Sequence, residues 1–372
     1  VQHRPIYNAR RQLVAVDLAL RGHAGAAVPA AADWLAALRA DSDHTRGVDD
    51  ATLVLHALDS VDLARLAESP PQAGAVVALP AELGRDPQNA AAMRALVARS
   101  IRLWSQGDAP ADWPVGQPTW TCLPTQGRTL VSGVSRLADL SRAVEQGAVA
   151  GHGWPLDNPP PPPAPASKSA SDVKIAMEVM HAADRAAPIG SIEATVQRSP
   201  TLTYRLMTYL SAASLGRTAR DSSLRHALMM LGMNQLRQWA SLLVCAAAGS
   251  EQSQPMVHAS IWRAHFMQAV GAAVGPSMPS GELFVCGAFS LLDQLLGGSM
   301  RQLLSDLPVG DEVRACLLGE GGPLEPYLDL ARAIESNAPL DLAAACDTTM
   351  LTAAEINRAT LRAVAQMVAS QR

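Results

Sequence analysis

Lysine is nearly missing from this chain: of 30 basic residues only Lys168 and Lys174 are lysines, and the arginines that make up the rest form no cluster. With a net charge of -4 there is no basic face to neutralise phosphates, which argues against a nucleic-acid surface. No apolar run approaches the ~18 to 20 residues of a membrane span, and the amino terminus lacks a signal-peptide core, so a cytoplasmic protein off the membrane is expected. Cys122, Cys245, Cys286, Cys316 and Cys346 are odd in number and show no CxxC spacing, so they read as buried or incidental thiols in a reducing compartment. A glycine-rich phosphate loop is also absent; Gly297-Gly298 and Gly321-Gly322 read as helix ends.

What is present is enough apolar material for real cores, 48% of 372 residues, and a length that suits two or three domains. The boundary is written in proline. Asn158 is followed by five prolines, then Ala164-Pro165-Ala166-Ser167-Lys168-Ser169, a stretch without apolar periodicity. It reads as a stiff polyproline spacer followed by a flexible Ser/Ala portion. The expected division is a first domain over 1–157, a linker over 158–171 and an all-α domain over 172–372.

The front segment opens Arg4-Pro5-Ile6-Tyr7-Asn8, turns at Ala9-Arg10-Arg11, and continues Leu13-Val14-Ala15-Val16-Asp17-Leu18-Ala19-Leu20-Arg21. Val14, Val16, Leu18 and Leu20 recur with the period of a strand, which places Asp17 on the opposite face. Ala75 to Leu79 is strand-like and offers no ligand, while Ala90, Met93, Leu96, Val97 and Ile101 read as a packing helix. The segment closes Glu145-Gln146-Gly147-Ala148-Val149-Ala150-Gly151-His152-Gly153-Trp154-Pro155. These two ends resemble the first hairpin and the closing segment of EAL domains, phosphodiesterases that linearise cyclic di-GMP. The resemblance implies that Asp17 stands where the family has a metal-binding glutamate, that Arg21 keeps the family arginine, and that His152 replaces a glutamine that contacts the nucleotide. A full (β/α)₈ barrel takes ~250 residues and the segment before the prolines has under 160, so about five βα units and an incomplete barrel are expected.

Behind the linker the pattern is helical. Ser199-Pro200 can start a helix with Leu202, Leu206, Met207 and Leu210 at helical spacing. Ser222 or Ser223 can cap the next, whose Leu224, Ala227, Leu228 and Leu231 share a face, and Gly232 ends it. Asn234 can cap a third, with Leu236, Trp239, Leu242 and Leu243 as its stripe. Periodicity alone gives core helices. The ordered occurrence of Ser199-Pro200, Leu231-Gly232 and Leu236-Arg237-Gln238-Trp239 resembles the HDOD module, an all-helical relative of HD phosphohydrolases without their metal site. The resemblance aligns Trp262 to His265 with the helix of the first ligand histidine and Gly287 to Asp293 with the helix of the His-Asp pair. Leu292 stands at the ligand histidine and has no lone pair to offer a metal. His265 and Asp293 remain as relics, and their simpler readings are a core histidine, sharing a helix face with His258 and Trp262, and a helix-surface or buried-network carboxylate. Phe284, Phe289, Leu291, Leu292, Leu295 and Leu296 point to an apolar core there.

The sequence reading is therefore an α+β, multidomain bacterial signalling protein: a reduced EAL-like α/β domain joined to an all-α HDOD domain. No catalytic residue, cofactor or metal is expected, and the chain is read as not an enzyme. Its expected work is binding other signalling proteins, as a monomer or a homo-oligomer. Cyclic di-GMP bound without cleavage is the alternative, and residual metal-dependent hydrolysis ranks last.

Overall fold

A computed structural model of the chain describes residues 2–19, 53–71, 75–106, 120–121, 129–157, 167–199, 202–203, 206, 224–248, 253–336 and 339–369. The chain divides into two compact units. The first comprises Val1–Pro159 with Ile334–Asn337 and Thr360–Val368, and the second Pro160–Ala333, Ala338–Ala359 and Ala369–Arg372.

The first unit is built on one sheet. Strand β1 (Gln2–Asn8) turns back into β2 (Leu13–Ala19), with Arg4 opposite Asp17. The turn is held by Asn8, whose Oδ1 accepts from the backbone N–H of Arg10 and of Gln12 at 2.9 and 3.0 Å, while Arg11 takes φ 58°. Then come β3 (Leu53–His56), α1 (Ser60–Glu68), β4 (Val76–Pro80), α2 (Ala81–Arg85), α3 (Ala90–Ala98), β5 (Arg102–Gln106), β6 (Trp120–Thr121), β7 (Leu130–Ser132), α4 (Leu137–Glu145) and β8 (Ala150–His152). The sheet order is β6-β5-β4-β3-β2-β1-β8-β7. Because β1 alone pairs antiparallel, the other seven strands run in one direction. Among the described residues β6 and β7 do not pair, so the sheet is an open half-barrel. The chain-length estimate of about five units does not give the number of strands, because a hairpin replaces the first crossover, and three of the strands are only two or three residues long.

Both faces of this sheet are dry. Leu55, Val77, Leu79 and Leu103 pack on α1 and α3 through Leu63, Leu66, Met93 and Leu96. The alternate positions Ala15, Val54, Val76, Ala78, Trp104 and Ala150 make a second core with Ile6 and Leu130. The alternation read along β2 is therefore one of two buried faces, since Ala15 and Asp17 are as buried as Val16 and Leu18. Helix α3 stops before Ile101: Ser100 takes φ 62°, and Ile101 enters the helix-side core from outside the helix. The segments from the far end of the chain belong to this unit as well. Thr360, Ala363, Val364 and Met367 are fully buried, and the charge of Glu335 adds to burial in raising the Tyr7 phenol well above its ordinary range.

The second unit is helical among the described residues. Helix α5 (Ser167–Asp184) begins inside the Ser/Ala stretch expected to be flexible, because Val173, Ala176, Val179, Met180 and Ala183 supply one continuous buried stripe. Then follow α6 (Ile189–Gln197), α7 (Leu224–Ala248), α8 (Gln254–Val274), α9 (Ser280–Phe289), α10 (Leu292–Leu296), α11 (Met300–Ser305), α12 (Asp311–Leu318), α13 (Glu325–Ser336), α14 (Pro339–Thr349) and α15 (Ala353–Ala369), with the end of α13 from Ile334 and the Thr360–Val368 stretch of α15 counted in the first unit. Ser199 caps as its sequence suggests, its Oγ accepting from Leu202 N–H at 3.1 Å. Gly232, at φ 75°, kinks α7 between the stripe ending at Leu231 and the one holding Leu236, Trp239 and Leu243. The residues Gly287 to Asp293, read as one helix, are broken into α9 and α10: Ser290 Oγ turns back to donate to Gly287 C=O at 2.8 Å and Leu291 leaves helical geometry.

Helices α8 and α9 meet backbone to backbone at Gly287, where an added Cβ would lie 2.6 Å from the carbonyl oxygen of Arg263. Neither backbone can yield as a side chain does. Gly287→Ala is expected to lose about 1 to 3 kcal/mol in denaturant unfolding, as overpacked cores do.

Candidate functional site

The polar centre of the first unit follows from strand parity. Residues two apart share a face, so Asp17, His56, Trp104, Gln106 and His152 lie on the same side of the sheet as Ala15, Val54, Ala78 and Ala150. His56, Gln106 and His152 are the last residues of β3, β5 and β8, and Asp17 lies two residues before the end of β2. The cluster therefore sits at the carboxyl ends of the parallel strands, where barrel-type and open α/β sheets place their ligands.

Asp17 is the hub, with 1% of its surface exposed. One carboxylate oxygen lies 2.5 Å from His56 Nε2 and the other 2.8 Å from His152 Nε2. Gln106 Nε2 lies 2.9 Å from His56 Nδ1. An ionised carboxylate can only accept, so His56 Nε2 carries the proton aimed at Asp17. Trp104 stands between the two imidazoles, edge-on to both, with ring centroids 6.1 Å from His56 and 5.7 Å from His152. Among the described residues His152 Nδ1, which is buried, meets no hydrogen-bond partner.

The electrostatics of Asp17 are a contest. Burial pushes its carboxyl pKa up; hydrogen bonds from His152 and His56, and then their charges, pull it down and win, holding it well below the usual carboxylate range. A buried carboxylate set against two imidazoles can serve chemically as the acceptor and counter-charge that fixes both rings.

Sequence reasoning placed Asp17 and His152 at opposite ends of the first segment, and the fold joins them. It missed His56 and Gln106. The available signal was Leu53-Val54-Leu55-His56, an apolar run ending in a histidine with the parity of Asp17. Arg21 lies outside the described residues.

In the second unit His265 is half-buried on α8, edge-on to Phe284 with centroids 5.1 Å apart, and burial pulls its pKa down to about 4. Leu292 is fully buried at the start of α10, among Phe284, Phe289, Leu291 and Leu295, which are also buried, whereas Leu296 and Asp293 are half-buried. Among the described residues no group of three His, Cys, Asp or Glu side chains is placed to hold a metal ion. The Leu236 to Trp239 run divides its work. Leu236 and Trp239 are buried, while Arg237 and Gln238 line a groove of about 250 Å³ with Asn234, Ser280 and Glu282. Arg237 donates to Glu282 Oε1 at 2.9 Å and to Pro308 C=O at 3.4 Å.

Residues 170–297 match the HDOD domain family. The chain is similar to Cyclic di-GMP phosphodiesterase CdgJ of Vibrio cholerae, 33% identical over 144 residues, which is 39% of this chain and 33% of that protein. It is also similar to Uncharacterized protein YuxH of Bacillus subtilis, 26% identical over 145 residues, 38% of this chain and 35% of that protein. The chain spans about a third of the length of these curated relatives. No solved structure matches it. Among the described residues no helix is long and apolar enough to cross a membrane.

The first relative corrects one expectation. The reading of the chain as not an enzyme is overturned by its similarity to a protein named as a phosphodiesterase. The exclusion rested on ligands lost from known metal patterns and took no account of the acid-base cluster that Asp17, His56 and His152 form.

Two stability effects follow. A carboxylate whose pKa is depressed by folding stabilises the protein above its unfolded value, ordinarily 3.8, and loses that contribution as pH falls below it. Asp17→Asn should cost about 1 to 3 kcal/mol at neutral pH and flatten the acid limb of stability against pH, measured by urea unfolding. Leu292→Ala, in the helical unit, should cost about 2 to 5 kcal/mol in the same measurement.

Proposed function

We propose that the chain works in cyclic di-GMP-related signalling as a cytoplasmic two-part regulator. In this reading the helical HDOD half binds other signalling proteins, and the half-barrel, a degenerate EAL-like domain, meets the nucleotide. The observation that carries the proposal is the convergence of Asp17, His56, Gln106 and His152 at the carboxyl ends of parallel strands, in a chain similar to a protein named for cyclic di-GMP. Such a ligand presents phosphate oxygens and purine edges. The Gln106 amide suits these as a donor, and Trp104 supports both imidazoles through its ring. The net charge of -4 and the scattered arginines argue against a nucleic-acid partner, so a small nucleotide is the ligand this chemistry favours.

A second reading is favoured by the name of that same relative: metal-dependent hydrolysis of the cyclic dinucleotide. Among the described residues no three His, Cys, Asp or Glu side chains are placed to hold a metal ion, Asp17, His56 and His152 included, so the ligands that two-metal chemistry uses would have to come from elsewhere.

Calorimetric titration of the full chain with cyclic di-GMP in Mg²⁺ or Mn²⁺, with the same samples assayed for the linear product, tests both readings. Saturable binding weakened about tenfold by Gln106→Ala, equivalent to roughly 1.4 kcal/mol, is the expected result. Product formation that requires the metal and disappears in Asp17→Asn would establish the second reading. The absence of both heat and product would sink the assignment of the nucleotide to the half-barrel.

A further inference from the structure

We propose that Cys286 and Cys316 are a site of oxidative modification, a dithiol that a peroxide converts to an intramolecular disulfide joining α9 to α12. Thirty residues apart in sequence, the two sulfurs lie 3.3 Å from each other. That is within the ~3 to 3.5 Å of a near-attack arrangement and needs only a modest closure to the ~2.05 Å of an S–S bond. Both residues are buried, at 0% and 3% exposure, so the pair is held by packing rather than by chance encounters of surface side chains.

The pair is chemically unequal. Cys286 S–H points at the Cys316 sulfur. That hydrogen bond, against burial and with help from the charge of Arg332, holds the Cys316 thiol below its ordinary value. The same bond, followed by burial, raises Cys286. Cys316, the less deeply buried of the two and the one whose thiol is lowered, is assigned the attack and Cys286 the resolution, the division of labour found in redox-sensing pairs. The Cys316 sulfur attacks one peroxide oxygen, the O–O bond breaks, and with one proton a sulfenic acid and one water result. Cys286 sulfur then attacks the sulfenic sulfur, and its proton leaves with the hydroxyl as a second water. Two thiols and one peroxide thus give one disulfide and two waters.

The other described thiols lack these features. Cys245 donates to the carbonyl of Ala288 at 3.1 Å, and burial pushes its pKa up to about 12. Cys346 is half-buried, and burial raises it too. Glu282 lies one helical turn before Cys286 on α9 and holds Arg237 in the groove, so the bond would fix the helix that lines that groove.

Each cysteine falls on a separate tryptic peptide, which makes the test direct. The native chain is treated with a small excess of hydrogen peroxide, alkylated, digested without reductant and mapped by mass spectrometry. The expected product links peptide Ala264–Arg301 to peptide Ala315–Arg332, with Cys122, Cys245 and Cys346 recovered alkylated. In Cys286→Ser, dimedone should trap a sulfenic acid at Cys316; in Cys316→Ser, Cys286 should remain alkylatable. Recovery of both thiols alkylated after oxidation, or linkage of either to a different cysteine, would overturn the proposal.

Discussion

A carboxylate removed from water is costly unless charged or hydrogen-bonding partners meet it, and the first unit is arranged around meeting that requirement for Asp17. The hairpin sets β2 beside β1, β1 carries β8 on its other edge, and β3 lies on the far side of β2. Only with that order do His56 and His152 reach the two oxygens of one side chain from strands that the sequence separates by almost a hundred residues. The order also puts the hairpin inside the sheet, so the sequence neighbours of Asp17 lie away from its edges while β6 and β7 end it. Trp104 fills the space between the imidazoles, and the apolar residues beneath keep water out, which strengthens the contacts of Asp17 and raises the cost of losing either one.

How much of this was legible depends on the distance over which each feature is decided. Local signals held: the Asn8 turn, the Ser199 cap and the break at Gly232 are settled by a few residues each, and sequence carries them. Asp17 and His152 were visible as singular residues in recognisable segments, but their meeting is a property of strand order, which periodicity does not encode. His56 ends a four-residue strand too short to declare itself. The length argument counted βα units and gave an incomplete barrel; it does not give the number of strands, because this sheet uses a hairpin and very short strands. Helix α5 shows a separate error: the composition of its start suggested a loose linker, and the buried stripe beginning at Val173 carries it into a helix.

The helical unit poses a different constraint, backbone proximity. Gly287 lets α8 and α9 touch, Arg263 is buried at the same crossing and donates to Ser290 Oγ at 3.0 Å, and Ser290 in turn ends α9. This crossing brings Cys286 on α9 to α12 and sets Glu282 against Arg237 at the groove. The sequence run that most resembled a known module, Leu236 to Trp239, is half core and half groove lining, so the residues that signal its fold also border a surface groove.

The central claim, that Asp17 holds its histidines by direct interaction and so organises the strand ends, is tested most directly by a double-mutant cycle in unfolding free energy between Asp17→Asn and His152→Gln. The account predicts a coupling of about 1 to 3 kcal/mol, because either single change already disrupts the shared contact. Single-mutant effects that add to within about 0.5 kcal/mol would contradict it.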